Sequence, residues 1–187
     1  IENIPEELKQ LKQWVLWKIE IDEEGNEKKK PKQVCNLKNA STTKENTWSS
    51  FEDAVAAYEN NKGYVDGIGF VFTDNDPFIG IDLDDVIIDG IIEPYAQEII
   101  REVGSYTEYS PSGQGVHIFV KGEKFQNRQK DIEIFNRIKF LTVTGNHLSE
   151  TPLKIREIDI RNIPCMEKYL KEGNGPTIKK EKKANKD

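Results

Sequence analysis

Residues 78 to 85 read FIGIDLDD, and the alternation in this run constrains the fold more than any other part of the chain. Successive side chains of a strand point to opposite faces, so Ile81 and Leu83 line one face while Asp82 and Asp84 share the other. The first face asks for apolar cover. The second holds two like charges about 6.7 Å apart, twice a rise of roughly 3.3–3.4 Å, which is unfavourable unless a cation sits over them. The pattern recurs downstream. In GVHIFV, Val116, Ile118 and Val120 share one face and His117 and Phe119 the other; in DIEIFN, Ile132 and Ile134 share a face and Glu133 projects from the opposite one. If these three strands are neighbours in one sheet, Asp82, Asp84, His117 and Glu133 converge.

The remaining segments supply the rest of an α+β chain. PEELKQL predicts a short helix from residue 5 to about 12, with Pro at its first position. WVLWKIEI reads as a strand, DEEGNE as a turn and KKKPKQV as a returning strand. NTWSSFEDAVAAYENN carries Trp48, Phe51, Val55 and Tyr58 at helical spacing, with Thr47 or Ser49 as N-cap, and ends near Gly63. GIGFVFT and PFIGIDLD, separated by DND, read as a β-hairpin. EPYAQEIIREV is a helix; SYTEYS, GVHIFVK, DIEIFN and IKFLTVTG are four short strands; IPCMEKYLK is a closing helix. The order strand, strand, helix and then further strands predicts a largely antiparallel sheet.

A chain of 187 residues with 36% hydrophobic and 32% charged content suits one well-buried domain or two small modules sharing a core. No apolar run approaches the roughly 18 residues of a membrane span, and the first ten residues lack the basic start and apolar centre of a secretory signal. A cytoplasmic location without membrane contact is the expectation. Cys35 and Cys165 stand apart from each other and from histidines at ligand spacing, which argues against a disulfide scaffold or a structural zinc site. A net charge of −6 excludes coating of nucleic acid by bulk attraction; any such contact is local. Lys28 to Lys32 (KKKPK) is the local basic footprint, either a charged strand edge or a contact for template or triphosphate. Trp14, Trp17 and Trp48 read as core, Asp74, Asp76 and Asp85 as turn chemistry, and His147 as a loop residue.

Three carboxylates on a rigid surface make a hard-oxygen site for Mg²⁺ or Mn²⁺, and two such ions about 3.5–4 Å apart are the usual clamp for phosphoryl transfer. SPSGQG, just before His117, is a Ser/Gly turn suited to cradling phosphate oxygens, and His117 is better placed to hold a phosphate than a metal.

GIGFVF, then IGIDLDD, then YTEYSPSGQGVHIFV, then IEIF and FLTVTG resemble, in order and spacing, the primase-polymerase domain of the archaeo-eukaryotic primase superfamily, most closely the versions carried by phages, plasmids and integrated elements. The resemblance runs from about Leu11 to Gly145. It implies Asp82, Asp84 and Glu133 as catalytic ligands of two Mg²⁺ or Mn²⁺ ions. It also implies Ser112, Gly113 and His117 as contacts to the incoming nucleotide. A basic residue precedes the TG of such enzymes, and here Arg137 and Lys139 are offered. Lys139 stands where many relatives carry Arg directly before the Phe, and it lacks the bidentate fork of a guanidinium. The implied fold is a catalytic sheet like that of the RNA-recognition motif, with an N-terminal α/β module packed beside it to form a cleft. The domain would span 1–172, as a module over 1–65 and a catalytic core over 66–172. Residues 173–187 would be a flexible linker to a missing C-terminal region, often a helicase. The implied activity is template-dependent nucleotidyl transfer from nucleoside triphosphates on single-stranded DNA. A non-catalytic nucleotide- or DNA-binding module of a larger replication protein is the alternative. A rolling-circle nuclease needs two histidines flanking an apolar residue, and GVHIFV supplies one.

Overall fold

A computed structural model describes residues 1–125 and 132–172; the expected linker over 173–187 lies outside the described residues. The chain opens with α1 (Glu6–Lys9), shorter than the expected span to about 12. Its carbonyl at Leu8 accepts from the indole N–H of Trp14 at 3.1 Å, so the first tryptophan anchors the helix end. β1 (Trp14–Ile21) buries its first four residues and then alternates. Its far half runs out as a hairpin with β2 (Glu27–Lys32). The turn is closed by the Asp22 carboxylate, which accepts from the backbone N–H groups of Glu24 and Asn26 at 3.0 and 2.8 Å.

α2 (Phe51–Asn60) is capped by Ser50, whose Oγ accepts from the Asp53 N–H at 3.1 Å. Thr47 and Ser49, the expected caps, are otherwise engaged. The Thr47 hydroxyl donates to the Lys44 carbonyl at 2.7 Å, and Ser49 forms a β-bridge with Trp14. Beyond it follow β3 (Gly67–Phe72), β4 (Phe78–Leu83), β5 (Ile87–Ile88), β6 (Ile91–Ile92), α3 (Pro94–Val103), β7 (Thr107–Tyr109), β8 (Val116–Lys121), β9 (Glu133–Phe135), β10 (Lys139–Val143), β11 (Arg156–Glu157) and α4 (Pro164–Glu172). β5 and β6 form a small hairpin that sequence reading did not assign. Asp89 and Gly90 turn it, both at positive φ (51° and 80°), as a two-residue mirror-image turn requires.

The strands sort into two larger sheets. Sheet one runs β10-β3-β1-β2, and sheet two runs β11-β8-β4-β9 with β7 also on β8. Among the described strand pairs only β11 with β8 is parallel, so the α+β, largely antiparallel expectation holds. The expected β3–β4 hairpin does not form. β3 pairs with β1 and β10, whereas β4 pairs with β8 and β9. β3 and β10 share a sheet with β1 and β2.

The reason lies in the connection between them. Asp76, 6% exposed, accepts through Oδ2 from the Thr73 N–H, the Thr73 hydroxyl and Gln13 Nε2 at 2.8, 2.9 and 2.9 Å. Its Oδ1 accepts from the Phe78 N–H at 2.8 Å and from Lys124 Nζ at 3.0 Å. One carboxylate thus turns the chain out of sheet one and into sheet two.

Sheet two is covered on both faces. Ile79, Ile81, Leu83, Val116, Ile118, Val120, Ile132 and Ile134 form one core with α3 and α4 through residues such as Ile99, Val103 and Met166. The opposite face meets sheet one through aromatic rings. Phe70 lies 6.0 Å from Phe78, and Phe72 lies 6.2 Å from Phe119 and 6.4 Å from Phe135, centroid to centroid. This second face carries the polar residues of interest.

Asp76→Ala should destabilise the protein by roughly 3 kcal/mol, because it strips Lys124 of its buried ion-pair partner and leaves the Thr73 and Phe78 N–H groups without their acceptor at a buried corner. Urea denaturation measures this. A loss below about 1 kcal/mol would show that the corner is held by other contacts.

Candidate active site

Register decides which side chains meet. Asp82 on β4 pairs with His117 on β8 and with Glu133 on β9, and His117 pairs in turn with Glu108 on β7. Directly opposed residues of antiparallel strands lie on one face. Glu108, His117, Asp82 and Glu133 therefore form one row across sheet two. The structure brings together three of the sequence-predicted residues and adds a fourth, Glu108, that sequence reading missed.

Within the row, polarity is unevenly satisfied. His117 Nε2 faces Asp82 Oδ1 at 3.5 Å, yet both atoms are buried without a hydrogen-bond partner. Buried polar groups are normally paired, so these two atoms are the exception within the row. Glu133 is half exposed and ion-paired with Lys139 at 2.6 Å, and Arg137 pairs with Asp74 at 3.3 Å. Asp84 lies one residue past the end of β4 and is exposed. Among the described residues no three His, Cys, Asp or Glu side chains are grouped closely enough to hold a metal ion. The donor chemistry nonetheless suits a hard cation: Asp82 offers an unpartnered oxygen, with Asp84 and Glu133 as neighbours.

The Ser/Gly turn stands beside this row. Ser112 Oγ shares a 3.0 Å hydrogen bond with Ser110 Oγ and accepts from the Gln114 N–H at 3.2 Å, while Gly113 sits at φ 72°. A side chain at Gly115 would come within 2.6 Å of the Leu83 carbonyl and 3.3 Å of Asp84 Cα. Only glycine lets the turn lie this close to the end of β4. The Gln114 carbonyl accepts from the Ile87 N–H at 2.9 Å, fastening the turn to the segment after Asp84.

No family model matches the chain. It is 33% identical over 163 residues to the DNA Primase-polymerase of Nitratiruptor phage NrS-1, an alignment covering 82% of this chain. The chain belongs to the phage-type primase-polymerase family. It spans about a fifth (22%) of the length of that phage relative. Among the described residues no helix is long and apolar enough to cross a membrane.

In this primase-polymerase domain the central aspartate carries an electrostatic load. Burial pushes the Asp82 carboxyl up to about 6; His117 and Lys29 hold it down in part, while Asp84 and Glu133 push it further. The influence of Lys29 brings the basic stretch at 28–32 into the field of the site. A carboxyl whose pKa is higher folded than unfolded binds its proton more tightly in the folded state. Its contribution to stability is therefore most favourable below about pH 4, declines through the window from about 4 to 6, and is a full penalty above, worth roughly 2–3 kcal/mol.

Asp82→Asn removes that penalty while keeping size. Without divalent metal the variant should be more stable than the parent at pH 7, by up to roughly 2–3 kcal/mol, and the difference should vanish near pH 4. Denaturation curves at the two pH values test this. A variant less stable than the parent at pH 7 would make Asp82 a structural residue.

Proposed function

We propose that this chain is the nucleotidyl-transferring domain of a DNA primase-polymerase, adding nucleotides from triphosphates to a strand on a single-stranded DNA template. The observation that carries the reading is the Glu133–Asp82–His117 row, with two facing polar atoms left buried and unpartnered, in a chain that is 33% identical to a named primase-polymerase. In this reading sheet two, with α3 and α4 on one face, is the core resembling the RNA-recognition motif. Sheet one and α2 supply the wall of the cleft, and residues 1–172 work as one unit. The linker over 173–187 and a helicase region beyond it complete the proposal for the full-length protein.

Asp82, Asp84 and Glu133 would hold divalent metal, Mg²⁺ or Mn²⁺. When bound, the metal supplies charge neutralisation at the phosphates and favours attack by a 3′-hydroxyl on the α-phosphate. The chain's own residues do the rest by position. β4 is fixed by partners on both sides, so Asp82 is offered from a rigid strand. His117, from the neighbouring strand, addresses the triphosphate, with Ser112 and Gly113 in the turn beside it. Arg137 approaches from the segment joining β9 to β10 and Lys139 from the start of β10. With no covalent intermediate on the protein, orientation and electrostatics account for the rate.

One observation favours a second reading. Lys139 occupies Glu133 as a metal would, which suits a module that binds nucleotide or DNA without chemistry. A primer-extension assay with Mn²⁺ on single-stranded template separates the two. Extension by the parent that is lost in Asp82→Asn, Asp84→Asn and Glu133→Gln supports the enzyme. Nucleotide binding without extension would support the module.

Lys139→Met should bind Mn²⁺ more tightly than the parent, because it frees Glu133, and should bind nucleotide more weakly. An exposed pair of this kind is worth about 1 kcal/mol at most, so the expected shift in metal affinity is a few-fold. Isothermal titration with each ligand reads both. Unchanged Mn²⁺ affinity would remove Glu133 from the metal site.

A further inference from the structure

Asn136, Arg137 and Ile138 join β9 to β10 and take the chain from sheet two to sheet one. The last of them stands at φ 52°. Short connections commonly close on a left-handed residue, and that position takes Gly or Asn; for a β-branched side chain it is an outlier. Four non-glycine residues among those described have positive φ: Leu37, Asp85, Asp89 and Ile138. Aspartate tolerates the conformation, and Leu37 packs against the core. Ile138 is 56% exposed, so burial offsets little of its strain.

The turn is pinned on both sides. The buried Asn136 donates its side-chain amide to the Phe125 carbonyl, and the Ile138 N–H donates to the Phe72 carbonyl at 2.9 Å. The Lys139–Glu133 ion pair at 2.6 Å spans the connection end to end. Strained residues persist where neighbours over-determine them, and they gather at ligand clamps. Glycine would make the same turn without strain, so the backbone path does not account for isoleucine. What remains to be explained is a branched apolar group held at the surface, in sequence between Arg137 and Lys139.

We propose that Ile138 is a substrate-binding residue: its side chain packs on the nucleoside of a nucleoside triphosphate whose phosphates Arg137 and Lys139 take. The proposal rests on the reading of those two cations as nucleotide contacts and deepens it. A nucleoside triphosphate joins an anionic chain to a ring with an apolar face, and cation, branched alkyl and cation in succession match the two parts. Covering the exposed half of an isoleucine corresponds to roughly a fivefold change in affinity.

The test compares the parent with Ile138→Gly, Ile138→Asn and Ile138→Val. Gly and Asn accept the left-handed turn, so the urea midpoint of Ile138→Asn should be no lower than the parent's. Isothermal titration at fixed Mg²⁺ then uses three probes: deoxyadenosine triphosphate, inorganic tripolyphosphate and a short oligothymidylate. The Gly and Asn variants should bind deoxyadenosine triphosphate about fivefold more weakly and the other two probes within about twofold of the parent. Ile138→Val, still apolar and branched, should stay close to the parent on all three. Parental affinity for deoxyadenosine triphosphate in the Gly and Asn variants would overturn the proposal. An equal loss for tripolyphosphate would do the same, making Ile138 a shaper of the turn. So would a loss confined to the oligonucleotide, or a lower urea midpoint for Ile138→Asn, which would make it a template contact or a packing residue. If all chains bind as expected but the parent extends no primer, the contact stands and the enzymatic reading falls. If the parent extends primers and all variants bind alike, the enzymatic reading stands and the contact falls.

Discussion

A carboxylate buried between two sheets survives only if donors reach it, and at Glu108 they come from both. Tyr106 and His117 lie on the sheet-two side, while Thr144 and Gly145 directly follow strand β10 of sheet one. Hydrogen bonds to a charged acceptor are stronger than neutral ones, and in a dry layer each matters more. The packing of Phe70, Phe72, Phe78 and Phe119 brings the two sheets together. It is non-directional; the bonds at Glu108 fix which residues face one another at the polar end of the layer.

Asp82 shows what happens two strands further on, where donors are withheld. It sits in the same row, nearly as buried, with an oxygen that nothing caps. The contrast within one row is physical: Glu108 is satisfied by its surroundings, whereas Asp82 bears the cost of a buried, unpartnered oxygen. Functional sites commonly carry such costs at the expense of stability. The cost is tolerable because β4 is an inner strand of sheet two, held by β8 along its whole length and by β9 on its other side.

Much of this was legible in the chain itself, and the misses have identifiable causes. Period-two alternation placed Asp82, His117 and Glu133 on the polar faces of their strands, and register then aligned them, because a one-residue slip would have buried charges among Ile81, Ile118 and Ile134. Glu108 escaped notice because acids are mostly exposed and its strand is three residues long. Its flanking Tyr106 and the later TG were the available signal. DND looked like a hairpin turn because a sheet change and a hairpin use the same turn residues; the bonds from Gln13 and Lys124 to Asp76 that distinguish them are tertiary. The Asp89–Gly90 pair between short isoleucine runs was a readable hairpin signal. Ser50 displaced Thr47 and Ser49 as cap because those two residues were claimed by the bridge and turn before the helix.

Sheet one stays open through most of synthesis. Its central pair, β1 and β3, is available early in synthesis, but β10 reaches β3 only after all of β4 to β9 has been made, so closing the sheet means closing a long loop. Until then β3 presents an unpaired edge beside Phe70 and Phe72, a combination that invites pairing with other chains. The domain therefore has a vulnerable interval on the ribosome whose length is set by the rate of translation between Phe72 and Lys139. Any shorter piece that stops before Val143 would remain in that state permanently.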